Sequence, residues 1–317
     1  MRLHLPTASQ TLLLRAALGT SPASDTAFNS WLRTVSDPLA GLVDPVSGDR
    51  RLLALLYDSL RSEESALPTT VRSRLRAATA HEELRADVLA QAGEEIVTEL
   101  DMAGISPTLV GGGAVAYRAY TSPALRHCDS LDLLVAPGQL GAARAALASF
   151  SCNVDGGRLL VVHPSGSRVT VLDRLYLDPR RGCPADLGRR AFAVTIGRAS
   201  VGTLSPADSL VEMCASASFT VAPGISWLAD CALLIATDEV DWQQVTEHAA
   251  CARAARVTNR ALEWLAAHLD VTVPRPAQRA LRRTGSREVT RRILGAARVG
   301  STRLRPRPDS LQDTGDD

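Results

Sequence analysis

Three consecutive glycines and one acid are the residues of this chain best suited to chemistry. Gly111, Gly112 and Gly113 follow a short apolar run, and Asp132 stands within a β-prone run at 131–135. Glycines directly after a strand let the backbone approach a ligand closely, and the N–H groups that open the next helix can bind phosphate. A carboxylate among apolar residues is costly to bury unless a cation or a hydrogen-bond donor receives it. Together these residues predict a site for a nucleotide and a metal ion.

The glycines and the acid lie in a segment of mixed α/β pattern that runs from residue 108 to about 204. The pattern predicts strands at 109–110 and 131–135, helices at 114–120 and 137–150, a hairpin of 158–163 with 168–175, and one or two strands within 192–204. This order places Asp132 on a central strand. We expect its side chain to project into a concave pocket floored by Gly112 and Gly113.

Helical patterns precede this segment. Thr7, Asp25 and Asp49 are placed to cap short helices, and residues 68–69 open a long one. On the long helix an apolar residue recurs every four positions, which predicts one apolar stripe. The stripe consists of Leu84, Val88, Ala92, Ile96 and Leu100. We interpret the region as a bundle that covers one side of the sheet, with a lid or recognition module as the alternative.

Helical patterns return after residue 204. Ser205 followed by Pro206 is a helix start signal, and 225–235 and 241–269 continue the helical pattern. Asp230 stands within an apolar helix and is expected to pair with an arginine or to cap a neighbouring helix. Residues 275–307 hold eleven arginines against one acid, a pattern more typical of a solvated face than of an RNA site.

These patterns predict a mixed α+β fold with a small mixed β-sheet as its core. The core would span 106–204, between an N-terminal helical region at 1–105 and a C-terminal helical region at 205–297. The polar tail at 298–317 lacks periodicity and is expected to be disordered.

Composition narrows the class of protein. Apolar residues make up 45% of the chain, charged residues 22%, and the net charge is +1, which indicates a globular protein without a general attraction to nucleic acid or to an anionic membrane. No apolar stretch reaches the roughly 20 residues of a membrane span, and the N-terminus lacks a secretory signal, so we expect a cytoplasmic protein. The six cysteines form no CxxC pair, which argues against structural zinc. The chain contains no lysine, so a phosphate must be bound by arginine, backbone N–H groups or metal.

The chain resembles an uncharacterised nucleotidyltransferase family of bacterial genomes, within the DNA polymerase beta-like superfamily. Its members read approximately LLKGAAL, then a tyrosine, an arginine and DIDLLV. The corresponding residues here are LVGGGAV at 109–115, Tyr120, Arg126 and SLDLLV at 130–135. The segments SPADSLVEMC, WLADCALL and VDWQQV extend the resemblance through the C-terminal helices.

The resemblance implies a specific site. Nucleotidyl transfer uses two Mg²⁺ ions held by acids at positions i and i+2 of one strand and by a third acid on a neighbouring strand. Asp132 would be the principal catalytic and metal-binding acid. The nucleotide would be contacted by Gly111, Gly112, Gly113, Arg126 and Ser130.

Two of the three acid positions depart from the family pattern. The first acid falls on Ser130, and Asp129 could replace it only through a bulged strand. Register with the family places Thr170 at the third position, while Asp173 is the nearby carboxylate that could serve as catalytic and metal-binding residue. The family lysine falls on Gly111.

Three hypotheses follow. The leading one is an enzyme that binds a nucleoside triphosphate with Mg²⁺ and transfers its NMP to an acceptor, such as a peptide or small molecule of a biosynthetic pathway. The main alternative is a catalytically degenerate relative that acts as a binding or scaffold protein. The third, RNA binding by the arginine-rich region, is opposed by the near-neutral charge and the lack of interleaved aromatic residues. No motif specifies an acceptor or an oligomeric state.

Overall fold

The structure, a computed structural model, describes residues 3–61, 66–176, 178, 181–184, 186–218, 224–237 and 239–302, with the backbone alone described for 189 and 289–302. Its elements follow the predicted order of helices, a mixed α/β segment and further helices.

Four short helices begin the chain: α1 (Ala8–Leu18), α2 (Ala23–Leu32), α3 (Pro38–Val43) and α4 (Leu53–Leu60). Thr7 caps α1 in a capping box with Gln10, because its side chain accepts from the Gln10 N–H while the Gln10 side chain accepts from the Thr7 N–H. Asp49 caps the short 3-10 turn that leads into α4. The start signals at Thr7 and Asp49 are confirmed. The cap predicted at Asp25 is wrong, because α2 already begins at Ala23 and Asp25 lies within its first turn.

The long helix α5 (Thr69–Met102) follows, and it ends at Gly104 with a φ of +73°. The predicted apolar stripe is wrong in its first half, because Leu84 is 67% exposed and Val88 is 38% exposed, whereas Ile96 and Leu100 are buried. Residues four apart advance about 40° around a helix of 3.6 residues per turn, so a strict four-residue repeat rotates away from any one face.

The mixed segment forms one seven-stranded sheet with the strand order β3-β4-β5-β2-β1-β7-β6. Its strands are β1 (Thr108–Val110), β2 (Leu131–Leu134), β3 (Ser151–Asp155), β4 (Arg158–Val162), β5 (Arg168–Leu172), β6 (Phe192–Ile196) and β7 (Ala199–Thr203). Between them lie helices α6 (Gly111–Ala119) and α7 (Leu140–Ala146). Strand β2 is central, antiparallel to β1 and parallel to β5. The α+β class, the central strand and the hairpin of β4 with β5 are confirmed.

The two faces of the sheet differ in chemistry. Leu109, Leu133, Val171 and Leu159 stand side by side on four neighbouring strands and share one buried cluster with α5 and α7. The opposite face presents the next residue of each strand, because side chains alternate along a strand. That face carries Asp132 and meets the C-terminal helices.

Five helices complete the described chain: α8 (Pro206–Ala217), α9 (Ser226–Thr237), α10 (Trp242–Cys251), α11 (Ala255–His268) and α12 (Arg275–Thr302). They share a buried apolar cluster with α1, α2, α4 and α6, so the N-terminal and C-terminal helices form a common core. Residues 303–317 of the predicted tail lie outside the described residues. None of the described helices combines the length and the apolar character needed to cross a membrane.

Candidate functional site

Asp132 lies at the centre of the sheet face that meets the C-terminal helices. It stands opposite Val110 on β1 and opposite Thr170 on β5. Burial raises the pKa of the Asp132 carboxyl, while a hydrogen bond from Thr170 and the positive charge of Arg158 act in the other direction. The sheet therefore holds an acid at a place where a cation or a donor would relieve the cost of burial.

Gly111 brings the glycine turn against this acid. Its φ is +71°, a conformation that favours glycine, and a Cβ placed on it would lie 3.3 Å from Oδ2 of Asp132. Helix α6 begins at Gly111, so its first N–H groups lie beside the acid. The adjacency predicted for Asp132 and the glycine turn is confirmed.

Gly112 and Gly113 would present a side chain to neighbours other than Asp132, and the pocket that the sequence predicts above these two glycines stays a prediction. A Cβ on Gly112 would lie 2.5 Å from Nη2 of Arg126, and one on Gly113 would lie 2.9 Å from Cδ2 of Leu131. The helix turns these two residues toward other neighbours, because successive residues of a helix point about 100° apart. Gly111 is the glycine that borders Asp132.

Arg126 is bound by Asp230 from helix α9. Nη2 of Arg126 lies 2.8 Å from Oδ2 of Asp230, and Nε lies 3.0 Å from Oδ1. The hydroxyl of Tyr120 donates to Oδ1 at 2.8 Å, and Nη1 of Arg126 donates to the carbonyl of His127. Burial alone would lower the pKa of Arg126, but the charge of Asp230 raises it overall. The expected pairing of Asp230 with an arginine is confirmed, whereas a contact of Arg126 with triphosphate stays a prediction.

Asp129 is surrounded by basic side chains from three segments of the chain. His127 Nε2 lies 3.1 Å from its Oδ1, and Arg51 and Arg85 lie 3.7 and 3.9 Å away. Although burial raises the pKa of Asp129, the charges and hydrogen bond of these partners lower it overall. Asp129 precedes the first residue of β2 and is engaged by this cluster, so its role as a metal ligand stays a prediction.

Asp173 lies just beyond the carboxyl end of β5, where it accepts the N–H of Gly138 at 3.4 Å. The glycine turn meets β2 at the opposite end, because β1 and β2 are antiparallel and Val110 pairs with Asp132. Asp173 is three residues beyond Thr170, which is about 10 Å along a strand. The residue that faces Asp132 is thus Thr170, and Ser130 lies just before β2 on the glycine side.

Arg158 belongs to the same sheet face as Asp132, although no sequence motif singled it out. It pairs with Leu172 on β5, next to the pairing of Leu160 with Thr170, so Arg158 and Thr170 share a face. Its Nη2 lies 3.7 Å from Asp155, and its Nε is buried without a hydrogen-bond partner among the described residues. The alternation of side chains along β4 could have predicted that Arg158 lies on this face.

Glu212 on helix α8 is a second functional candidate that no sequence motif singled out. It is 6% exposed, and burial raises the pKa of its carboxyl to about 7, with the charge of Asp132 adding to the effect. Sequence spacing gave no signal for it, because the C-terminal helices reach the sheet only through tertiary packing.

His127 and Cys128 do not form a nucleophile and base. The ring nitrogens of His127 lie 2.8 Å from Glu82 and 3.1 Å from Asp129. Burial raises the pKa of the Cys128 thiol to about 11, so the thiolate needed for attack is scarce near neutral pH.

Within the described part of the chain, no group of three or more His, Cys, Asp or Glu side chains is arranged to hold a metal ion. A pair of Mg²⁺ ions needs several carboxylates that share them, yet the positions around Asp132 are Ser130 and Thr170. The residues of the sheet therefore do not fit a two-metal centre.

Comparisons with known proteins identify a family. The family described as uncharacterised nucleotidyltransferase matches residues 45–270. No curated protein matches the chain. Among solved structures, an antigenic nucleotidyltransferase-like protein from Paracoccidioides brasiliensis is 16% identical, with a TM-score of 0.38, over 63% of this chain and 92% of that one. The long match to the family carries the assignment, since it covers most of the chain.

Proposed function

The chain belongs to the family of uncharacterised nucleotidyltransferases, and we propose that it binds a nucleoside triphosphate at the Asp132 face without catalysing two-metal nucleotidyl transfer. A catalytically degenerate binding protein is therefore favoured over an enzyme that transfers NMP.

The pairing of Thr170 with Asp132 carries this proposal. In the parallel ladder of β2 and β5, the residue opposite Asp132 is the one whose side chain can share a metal with it. Threonine supplies a neutral hydroxyl there, and Ser130 supplies another two residues before Asp132. Without neighbouring carboxylates on the strands, the sheet cannot clamp both the attacking and the leaving oxygen.

The groups that favour a bound triphosphate remain in place. The N–H groups that open α6 lie beside Asp132, at the positive end of the helix dipole. Arg158 adds a guanidinium on the same sheet face, and its Nε has no partner among the described residues. Arginine and backbone N–H groups are the phosphate ligands expected of a chain without lysine.

Calorimetry of ATP binding tests the first part of the proposal. We expect the wild-type chain to bind ATP and Arg158→Gln to bind it at least about tenfold more weakly, since a hydrogen bond to a charged group contributes about 1.5–3 kcal/mol and each 1.4 kcal/mol is a factor of ten. Arg260→Gln, which changes an exposed arginine of α11, is the matched control and should bind like the wild type. Absence of ATP binding by the wild-type chain would overturn this part.

Release of pyrophosphate tests the second part. We expect none from the wild-type chain with Mg²⁺ and each of the four ribonucleoside triphosphates. Release that requires Mg²⁺ and disappears in Asp132→Asn would show a working transferase and overturn the degenerate assignment.

A further inference from the structure

Strand β6 forms one edge of the seven-stranded sheet, since it ends the strand order and pairs with β7. Its five residues read FAVTI and include no charged residue, proline or glycine. They pair with β7 one to one over the whole strand, without a bulge. Natural edge strands avoid pairing with other chains by means of charges, prolines or bulges. Strand β6 has none of these devices, so its edge is open to a further strand.

The register of β6 with β7 decides which backbone groups of β6 point outward. A two-residue turn at 197–198 joins the strands, so the flanking residues Ile196 and Ala199 form a hydrogen-bonded pair. Hydrogen-bonded and non-hydrogen-bonded pairs alternate along an antiparallel ladder, so every second residue counted back from Ile196 bonds to β7. Ala193 and Thr195 lie between those residues and point their N–H and C=O groups outward. No backbone hydrogen bond within the described part of the chain reaches these four groups.

The surroundings of β6 do not repel a second strand. Arg190 and Arg198 flank the strand, and each forms an ion pair with an acid of the same chain, at 2.9 and 2.8 Å. Phe192 is 48% exposed, and the guanidinium of Arg118 lies 4.3 Å from the centre of its ring. Phenylalanine and arginine are both enriched in protein interfaces.

The opposite edge of the sheet is more polar. Strand β3 contains Asn153 and Asp155, and both residue types are depleted in strands. Pairing of β6 with β3 of another copy would be head-to-tail and would build an open filament. Pairing of β6 with β6 is self-complementary and closes after two copies, so the uncharged edge favours a dimer.

We propose that two copies of the chain form a dimer in which their β6 strands pair antiparallel across a twofold axis, joining the two sheets. An axis at Val194 sets Ala193 opposite Thr195 of the partner subunit. Both residues point their backbone groups outward, so each such pair exchanges two hydrogen bonds and all the outward groups are satisfied. The inference goes beyond the proposed function, because the pairing needs no nucleotide.

Sedimentation equilibrium of the full-length chain tests the inference. We expect the wild type to be a dimer. Thr195→Pro removes an outward N–H and leaves the ladder with β7 intact, since proline is tolerated where the N–H of an edge strand faces solvent. It should raise the Kd of the dimer at least about fivefold, because two symmetry-related hydrogen bonds are lost. Val154→Pro, at an outward-pointing position of β3, is the matched control and should remain a dimer.

Cross-linking tests the register. Val194 would face Val194 of the partner subunit as a non-hydrogen-bonded pair, with Cα atoms about 4.5 Å apart, a separation that a disulfide can span. Oxidised glutathione should therefore convert Val194→Cys into a covalent dimer, with two glutathione thiols released for each disulfide formed. Ser200→Cys places an exposed thiol one strand further from the edge. This variant and the wild type should stay uncross-linked on a non-reducing gel.

Three results would overturn the inference: a monomeric wild type, a dimer that Thr195→Pro leaves unchanged, or a dimer that Val194→Cys does not cross-link. A larger assembly that Val154→Pro disrupts would indicate pairing of β6 with β3 and would also overturn it. Thermal unfolding verifies that Thr195→Pro folds, and if it does not, the cross-linking result decides. Failure to bind ATP would remove the proposed function and leave the dimer unaffected.

Discussion

The guanidinium of Arg126 and the carboxylate of Asp230 form a two-point ion pair that joins the segment before β2 to helix α9. The Asp230 side chain is fully buried and that of Arg126 is 14% exposed. The hydroxyl of Tyr120 donates to the same carboxylate. The pair therefore fixes the position of the glycine turn relative to the C-terminal helices, whether or not Arg126 also contacts a ligand.

Removing Asp230 should strongly destabilise the protein. We expect Asp230→Ala to lower the free energy of unfolding by about 3–5 kcal/mol, because it leaves a buried guanidinium without its counter-charge. Glu263→Ala, which breaks the exposed ion pair with Arg282, is the matched control and should lower it by less than about 1 kcal/mol. Urea denaturation followed by circular dichroism measures both, and similar values would contradict the structural role of the Arg126 pair.

A methyl group on Gly112 should disturb the same ion pair. Its Cβ would lie 2.5 Å from Nη2 and 2.8 Å from Cζ of Arg126, so the guanidinium must shift away from Asp230. We expect Gly112→Ala to destabilise the fold by about 1–3 kcal/mol, as overpacking does. Gly141→Ala in helix α7 meets no atom within 4 Å and should instead be stabilising by about 0.5–1 kcal/mol. A stabilising effect of both substitutions in thermal unfolding would argue against the close contact.

The parts of the site predicted from the sequence are those that depend on local signals. Gly111 directly follows β1, and Asp132 lies on β2, which pairs with β1. The alternation within the short apolar run at 131–135 fixes the face of the Asp132 side chain. Thr170 stands opposite Asp132, at the position that the resemblance to the family assigned to it, whereas Asp173 was the carboxylate expected to serve there. Local periodicity was sufficient for Asp132, but the choice between Thr170 and Asp173 required the register of β5 against β2.

The parts that the sequence did not predict depend on packing between distant segments. The charge of Asp132 acts on Glu212 from a distant part of the chain, and no spacing within 205–217 indicates that relationship. The predicted apolar stripe of α5 was wrong partly because tertiary packing buries Leu89 and leaves Leu84 exposed. Which side of a long helix is covered is decided by the elements around it.

Glu212 should make the stability of the protein depend on pH. Burial raises the pKa of Glu212 from its ordinary value of 4.5 to about 7, so the folded chain holds this proton more tightly than the unfolded chain does. Its stabilisation is complete below about pH 4.5 and is lost as the pH rises through about 7, by roughly 3 kcal/mol at most. Glutamine stays neutral throughout this range.

The comparison of wild type with Glu212→Gln isolates this effect. Urea denaturation without divalent metal, at intervals from pH 4.5 to 8, should show the wild type losing stability relative to the variant as the pH increases. Other acids, such as Asp129 with its lowered pKa, contribute equally to both proteins and cancel. A constant difference between the two curves would contradict a raised pKa for Glu212.

Restoring acids beside Asp132 should recreate the metal set that the strands lack. Ser130→Asp returns a carboxylate two residues before Asp132, and Thr170→Asp returns one on β5 directly opposite. We expect the double variant to bind ATP more tightly with Mg²⁺ than without it, by a larger factor than the wild type does, because hard cations prefer shared carboxylates.

The metal-free double variant should also be less stable than the wild type, since three like charges then crowd one sheet face. Mg²⁺ should raise its thermal midpoint more than that of the wild type, because a ligand that binds only the folded state stabilises it. The matched control is Ser130→Asn with Thr170→Asn, which adds similar volume without charge and should gain no such response to Mg²⁺. If the acids instead weaken Mg²⁺-dependent ATP binding, a relocated and complete metal site already exists, and the degenerate assignment is wrong.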